Sequence, residues 1–211
     1  MNRAIISVLL ILLLAVGAVN ATSTSTQGLR GGLNLATWAG NDAAGSETLT
    51  AFHFGAFVNI KSSPQFSIQA EFLYSMKGVK ASDGSLTLKF KTNYLCIPVL
   101  LKYHFPSASS TSFNMYAGPS VGLLLTANLS ADDGNNSGSV DAKDAFKGTD
   151  FGLVVGLGLD IMRGETGKAV TVDFRYELGL TNILEDNFLD EGGANYDVKN
   201  SNISFGVGFT L

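Results

Sequence analysis

Apolar residues occupy every second position through most of the chain from Gly28 onward. The pattern recurs in stretches of about ten residues, which is typical of strands with two unlike faces. We count eight stretches, with these apolar sets: Leu29, Leu33, Leu35; Phe52, Phe54, Ala56, Val58, Ile60; Phe66, Ile68, Ala70, Phe72, Tyr74; Leu95, Ile97, Val99, Leu101, Tyr103, Phe105; Phe113, Met115, Ala117, Val121, Leu123, Leu125; Phe151, Leu153, Val155, Leu157, Leu159, Ile161; Val170, Val172, Phe174, Tyr176, Leu178, Leu180; Ile203, Phe205, Val207, Phe209, Leu211. The sequence therefore predicts an all-β fold.

The alternate positions of these stretches carry small and polar side chains with scattered charges. A soluble sandwich would turn this face to water and carry many lysines and glutamates on it. A membrane barrel turns the apolar face to lipid and fills a narrow lumen with the other, where opposite charges can pair. We expect a closed antiparallel up-and-down transmembrane β-barrel of about eight strands. Its lumen would pair basic with acidic members of this set: Arg30, Lys102, Arg175, Glu71, Asp160, Asp173 and Glu177.

The predicted connections alternate in length. Short turns fall at 61–65, 106–111 and 162–168, and longer polar segments at 39–50, 78–85, 128–149 and 182–200. Outer-membrane barrels have short periplasmic turns and long external loops, so both chain ends would be periplasmic. The pattern also predicts two aromatic belts at the membrane interfaces, formed by Phe66, Tyr103, Phe105, Phe113 and Phe209 on the periplasmic side and by Phe52, Tyr74 and Phe151 on the outer side.

The fourth stretch changes phase. Leu86, Leu88 and Phe90 are even-numbered, whereas the apolar positions from Leu95 onward are odd-numbered. Two explanations are open: a bulged residue near Thr92, or an early part that lies outside the membrane. Pro98 removes one ladder donor and favours a local irregularity.

The N-terminus has the order of a secretory signal peptide. A short basic start with Arg3 precedes an apolar run that is shorter than the roughly 20 residues a bilayer-spanning helix needs. Small residues then permit cleavage after Ala21 or after Ala18. We predict a cleaved signal peptide over residues 1–21 and a barrel domain over residues 22–211.

Composition narrows the functional classes. Charged residues make up 15% of the chain and the net charge is -4, so nucleic acid is not an expected partner. Cys96 is the single cysteine, which excludes an internal disulfide and a four-cysteine zinc site.

Three segments carry a family resemblance: Gly31-Gly32-Leu33-Asn34-Leu35-Ala36, Tyr94-Leu95-Cys96-Ile97-Pro98-Val99-Leu100-Leu101-Lys102-Tyr103 and Ala117-Gly118-Pro119-Ser120-Val121-Gly122. They resemble the outer-membrane β-barrel family of Bacteroidetes, related to the PorT-like proteins. The resemblance covers essentially the whole mature chain, and some relatives resemble secretion-system components. It implies the barrel fold and a place in the outer membrane of a Gram-negative bacterium.

The final segment, Ser204-x-Gly206-x-x-Phe209-x-Leu211, is similar to the C-terminal signal that barrel-assembly machinery recognises. An alternating terminal strand can pair edge to edge with a strand of that machinery, and its side chains set the register. The assembly machinery is therefore an expected partner.

No residue set in the sequence predicts catalysis or a cofactor. The alternating row Asp173, Arg175 and Glu177 fits a lumen ion-pair network better than an acid and base pair. His53 and His104 lack a metal-ligand spacing, and we expect each in the lumen or at its rim. Glycines 152, 156 and 158 lie in a predicted strand and do not form a dinucleotide loop. We predict no catalytic, cofactor or metal residues, and no enzyme.

One polar loop has the spacing of a calcium-binding loop. Its positions one, three, five, six, nine and twelve are Asp133, Asn135, Ser137, Gly138, Asp141 and Asp144. The twelfth position is normally Glu, and the sequence predicts no flanking helices. A flexible acidic outer loop is the simpler interpretation.

We expect a structural or surface-interaction protein that displays four external loops, with lipopolysaccharide, outer-membrane lipid or envelope proteins as partners. The alternative is a narrow pore or a component of a PorT-like secretion assembly, which the resemblance alone suggests. An eight-stranded barrel is too narrow for an open solute channel.

Overall fold

The structure is a computed structural model that describes residues 24–84, 86–163, 168–185 and 197–211. The predicted signal peptide, residues 1–21, and its cleavage site lie outside these ranges. Across the described ranges, no helix is long and apolar enough to cross a membrane.

The alternating stretches form strands, as predicted. In chain order these are β1 (Thr24–Ala39), β2 (Leu49–Lys61), β3 (Phe66–Asp83), β4 (Leu86–His104), β5 (Thr111–Asp132), β6 (Ser137–Asp141), β7 (Thr149–Arg163), β8 (Lys168–Gly179) and β9 (Lys199–Thr210), with one 3₁₀ turn at Lys143–Ala145. The predicted turn at 162–168 and the predicted loop at 182–200 fall partly outside the described residues.

Eight of these strands close into an antiparallel ring. Its order is β4-β3-β2-β1-β9-β8-β7-β5, and pairing between β4 and β5 completes the circle. The first and last strands are neighbours, with Gly28 opposite Thr210 and Ala39 opposite Lys199. The eight-stranded up-and-down barrel predicted from the sequence is therefore confirmed.

The wall separates the two faces predicted by the alternation. The outward face carries exposed apolar side chains, among them Leu29, Leu33, Phe72, Leu101, Phe113, Leu157 and Phe205. Aromatic rings pack in pairs towards both ends. At the end with the short turns, the ring centres of Phe66 and Tyr103 lie 5.2 Å apart, and nearer the opposite end those of Phe54 and Tyr74 lie 5.3 Å apart. In outer-membrane barrels the short-turn end faces the periplasm, so we predict the same orientation here and name the two ends periplasmic and outer accordingly.

Two predicted external loops are instead strands that extend the sheet beyond the ring. β3 and β4 pair out to Asp83 opposite Leu86, and β5 pairs with the short strand β6, which joins no other strand in the sheet order. We name these segments the projecting sheet: residues 76–83, 86–93, 126–132 and 137–141. The alternation pattern predicts loops at 78–85 and 128–149, where most of these residues lie. That prediction is wrong, because their polar outward residues hide the strand pattern.

The phase change near Thr92 has a different origin from a bulge in β4. β4 alternates without interruption, and Phe90, Tyr94, Cys96 and Leu100 all turn inward. The register shift lies opposite, in β5, where Asn93 pairs with Thr126 and Tyr94 with Leu124, so Leu125 is the extra residue. The even-numbered apolar residues therefore belong to the projecting sheet, where the inner face is apolar.

Candidate functional site

The barrel lumen is the candidate site, because it collects the charged side chains that the wall hides from lipid. The buried polar residues of the lumen occupy alternate positions of the ring strands, as in Asn34 on β1, Ser67, Gln69 and Glu71 on β3, and Asp173 and Arg175 on β8. Burial in a membrane barrel requires each charge to find a partner, since an unpaired buried charge is costly.

An ion-pair layer crosses the middle of the lumen, formed by Arg30, Glu71, Asp173 and Arg175. Arg30 donates to Glu71 Oε1 at 2.9 Å and, through its other terminal nitrogen, to Asp173 Oδ2 at 2.8 Å. Arg175 donates to Glu71 Oε2 at 2.9 Å. The side chain of Glu71 is 0% exposed, so both guanidinium groups share a carboxylate sealed from water. The predicted lumen ion-pair network is present.

Neutral groups complete this layer. The Gln69 amide donates to Glu71 Oε1 at 2.6 Å, and Arg175 Nε donates to the Tyr116 hydroxyl at 3.3 Å. The guanidinium of Arg175 also lies 5.3 Å from the centre of the Tyr116 ring. Buried ion pairs stabilise best when the remaining donors and acceptors are satisfied. These contacts satisfy both oxygens of Glu71, whereas Arg30 Nε has no hydrogen-bond partner among the described residues.

Glycines make the room that these large side chains need. A β-carbon at Gly206 would lie 2.6 Å from Arg30 Nη2, and one at Gly156 would lie 2.5 Å from Tyr116 Cζ. These glycines therefore serve packing inside a narrow ring, in agreement with the interpretation of the glycines on β7 as small lumen residues.

A second charged cluster lies nearer the outer mouth, around Lys77. Its ammonium lies 3.4 Å from Asp150 Oδ2 and 3.1 Å from Glu177 Oε1, and Asn200 donates to the same Asp150 oxygen at 2.9 Å. Glu177 was expected in the network, but Lys77 and Asp150 were missed. Both residues continue the inward alternation of their strands, but they lie just beyond the predicted apolar stretches, which end at Tyr74 on β3 and begin at Phe151 on β7.

The outer mouth is closed by an apolar cluster that we call the mouth cluster. Its buried members are Leu73, Tyr94, Cys96, Leu124, Ala127, Phe146, Ile183, Leu184 and Val198, with Trp38 and Phe90 packed against them. Backbone hydrogen bonds hold the loop residues in place: Lys147 N–H donates to Ile183 O at 2.8 Å, and Ile183 N–H donates to Val198 O at 2.9 Å. The described part of the long loops thus folds over the lumen.

The short-turn end is open and polar. A cavity of about 210 Å³ lies there between the ion-pair layer and the periplasmic rim, and we call it the vestibule. Six polar residues of its lining come from β2, β3, β4 and β7: Asn59, Lys61, Gln69, Lys102, His104 and Asp160. The lumen is therefore asymmetric, sealed outward and open inward.

One row of polar side chains in the periplasmic half of the lumen has the residue types of a nucleophilic triad. Ser67 Oγ lies 2.8 Å from His104 Nε2, and His104 Nδ1 lies 3.6 Å from Asp160 Oδ2. Ser67 is 0% exposed and its oxygen already accepts a hydrogen bond from Asn59, 3.0 Å away. Since a nucleophile must reach its substrate, the buried Ser67 oxygen is not placed for attack.

The two histidines occupy the positions expected of them. His53 is buried in the lumen, where its Nδ1 lies 2.8 Å from Asn34 Oδ1, and His104 lines the vestibule. Within the described ranges, no group of three or more His, Cys, Asp or Glu side chains could hold a metal ion.

The segment with calcium-loop spacing is a β-hairpin. Residues 137–141 form β6, and Asp133 at the hairpin tip accepts hydrogen bonds from the backbone amides of Asn136 and Asn135. These amides hold the pKa of the Asp133 carboxyl below its usual value. An extended strand does not curl its side chains around one ion, as a calcium loop must.

Comparison with known proteins places this geometry in context. Residues 20–185 match the model of the outer membrane protein beta-barrel domain family. The chain has no match among curated proteins.

The chain is also similar to solved structures, among them the following three. Neisserial surface protein A (NspA) is 13% identical, with a TM-score of 0.47 over 88% of this chain and 97% of its own. Ail, the attachment invasion locus protein of Yersinia pestis, is 12% identical, with a TM-score of 0.44 over 89% and 99%. OprG from Pseudomonas aeruginosa is 16% identical, with a TM-score of 0.42 over 90% and 97%.

Proposed function

This chain belongs to the outer membrane protein β-barrel domain family and resides in the outer membrane, and we propose that it acts there as a closed scaffold for surface interactions. In this role the barrel conducts no solute. It anchors and orients the external segments, and these make contact with lipopolysaccharide or with other envelope components.

The filled lumen is the observation that carries the proposal. The ion-pair layer around Glu71 and the cluster around Lys77 occupy successive levels of the lumen, and the mouth cluster lies over them. A pore needs a continuous water path, and an eight-stranded ring is only wide enough for its own side chains. The lumen therefore favours a scaffold over a pore.

The projecting sheet is the second support. It raises β6 beyond the ring, and all five residues of β6 are exposed, with Val140 at 61%. An ordered sheet presents side chains at fixed spacing, which suits specific contact better than a flexible loop does.

Planar-bilayer recording tests the closed scaffold. Purified mature protein should insert without stable unit conductance, while a known open porin under the same conditions shows channels. Stable conductance steps that depend on this protein would overturn the proposal.

Site-directed crosslinking tests the surface interaction and its main alternative. Ser139→Cys on β6 and Ser63→Cys in a periplasmic turn would be compared in native envelopes, in a Cys96→Ser background that removes the single natural thiol. We expect the β6 position to capture lipopolysaccharide or surface proteins. Capture of secretion subunits, chiefly from the turn position, would favour the PorT-like assembly that the sequence resemblance suggests.

We also propose that β9 is recognised by the barrel-assembly machinery. Phe209 points outward at 52% exposure, while Ser204 and Gly206 point inward, so the strand offers the alternation that edge pairing reads. Phe209→Ser should reduce assembly in cells and leave refolding into detergent micelles nearly unchanged. Equal loss in both assays would indicate a folding defect and contradict this role. Phe205→Ser, on the same outward face, is the matched control.

A further inference from the structure

The vestibule has features of a binding site that the scaffold role does not use. It is concave, it is open at the periplasmic end, and the ion-pair layer closes its inner wall. Its volume of about 210 Å³ corresponds to roughly seven water molecules at about 30 Å³ each. A small polar molecule can enter it only from the periplasm.

The charges that line the vestibule are unbalanced. Among the described residues that line it, Lys61 and Lys102 face a single carboxylate, Asp160, with His104 beside it. Asp160 is already engaged: it accepts hydrogen bonds from Thr171 Oγ1 at 2.6 Å and from Asn114 Nδ2 at 2.8 Å. The excess is therefore positive, in a chain whose net charge is -4.

Lys102 differs from the other lumen cations. Arg30, Arg175 and Lys77 each lie within 4 Å of at least one carboxylate, but among the described residues no carboxylate lies that close to the Lys102 ammonium. In the described part of the chain, the one hydrogen-bond acceptor of the Lys102 ammonium is Gln69 Oε1 at 3.3 Å, and the centre of the Tyr116 ring lies 5.7 Å from the ammonium. The residue is only 5% exposed. A buried ammonium with donors to spare favours an anionic oxygen beside it.

We propose that the vestibule binds a small anionic ligand from the periplasm, with one carboxylate or phosphate group held by Lys102. Lys61 at the rim attracts the anion, and the amide side chains of Asn59 and Gln69 supply polar contacts to the rest of the ligand. The anionic group belongs either to a free small molecule or to the C-terminal carboxylate of a peptide, and both have the same chemistry at Lys102.

Titration of the refolded barrel in detergent micelles tests this assignment. The probes are acetate, inorganic phosphate, an acetylated dipeptide with a free carboxylate, and the same dipeptide as its C-terminal amide. The readout is the NMR shift of the His104 ring protons, with His53 as an internal reference deeper in the lumen. We expect saturable shifts at His104 with at least one anionic probe and none with the amide.

The arms of the experiment separate the two sources. Saturation with acetate or phosphate supports a free anion, and saturation with the dipeptide carboxylate alone supports a peptide terminus. Lys102→Met should weaken binding at least tenfold, whereas Lys89→Met on the projecting sheet should leave it unchanged. No saturable shift with any anionic probe would overturn the proposal.

A second variant tests the site even if Lys102→Met fails to fold. Ala169 lines the vestibule near the periplasmic rim, away from the hydrogen bonds of Lys102. Ala169→Trp should block entry and abolish the shifts while the barrel still folds. Binding that survives both Lys102→Met and Ala169→Trp would place the ligand elsewhere and refute the assignment.

Discussion

At the scale of single residues, Glu71 is the centre of the lumen. Both of its oxygens accept hydrogen bonds from guanidinium groups, which come from β1 on one side and β8 on the other. Removing one member of a buried ion pair costs more than removing an exposed pair, because the partner stays buried and unpaired. The stability lost when a glutamate is replaced should therefore depend on whether its ion pair is buried in the lumen or exposed at the surface.

Glu71→Gln should lower the free energy of unfolding by about 3 kcal/mol or more, because Arg30 and Arg175 lose a shared counter-charge inside the barrel. Urea unfolding in lipid vesicles would measure the loss. The matched control is Glu47→Gln, which removes an ion pair with Lys80 at the surface, and there we expect a much smaller change because solvent screens the pair. Equal losses in the two variants would contradict a stabilising role for the ion-pair layer.

At the scale of strands, the sequence predicted the ring well because alternation is a local property. Each apolar set, such as that of β7, already shows which face meets lipid. The pairing of Arg30 with Asp173 could not be predicted, because residues distant in the chain meet only through the register of neighbouring strands. The projecting sheet was missed for a related reason: outside the membrane the outward face no longer has to be apolar.

Leu125 marks the point where the wall becomes the projecting sheet. The extra residue lets Leu124 and Ala127 both turn inward to the mouth cluster, although they are an odd number of positions apart. A bulge thus resets the alternation of β5 so that both parts of the strand bury their apolar side.

Deletion of Asn128, just beyond the bulge, should turn Leu129 and Ala131 outward and bring Ser130 inward, because a one-residue slip exchanges the faces of a strand. We expect lower stability and faster proteolysis at residues 126–141, measured by limited digestion and mass spectrometry. Deletion of Leu125 is the control, because it removes only the extra residue and keeps every pair between β4 and β5. Equal digestion of the two deletion variants would show that the projecting sheet does not need this register.

At the scale of the whole molecule, apolar side chains close the outer end of the lumen, whereas the periplasmic end is open and lined by polar side chains. The mouth cluster includes the single tryptophan, Trp38, whose ring centre lies 5.2 Å from Phe90 and 6.1 Å from Phe146. This gives the closed mouth an intrinsic fluorescent reporter.

Phe146→Ala should open the mouth cluster, lower the free energy of unfolding by about 3 kcal/mol and expose Trp38 to an aqueous quencher. Bilayer recordings of this variant should still show no conductance, because the ion-pair layer lies below the mouth. Val140→Ala, an exposed position on β6, should change neither property. Conductance gained by Phe146→Ala would mean that the mouth cluster alone blocks the lumen.

The position of Arg30 has a consequence for how the chain completes its fold. Arg30 lies on the first strand beside the seam with the last strand, and its two acidic partners belong to β3 and β8, on opposite sides of that seam. Before the seam forms, Asp173 cannot reach Arg30 around the ring. Pairing of the terminal strands and completion of the ion-pair layer should then happen together, so an intermediate with an open seam would hold Arg30 on Glu71 alone and would gain its second carboxylate only on closure.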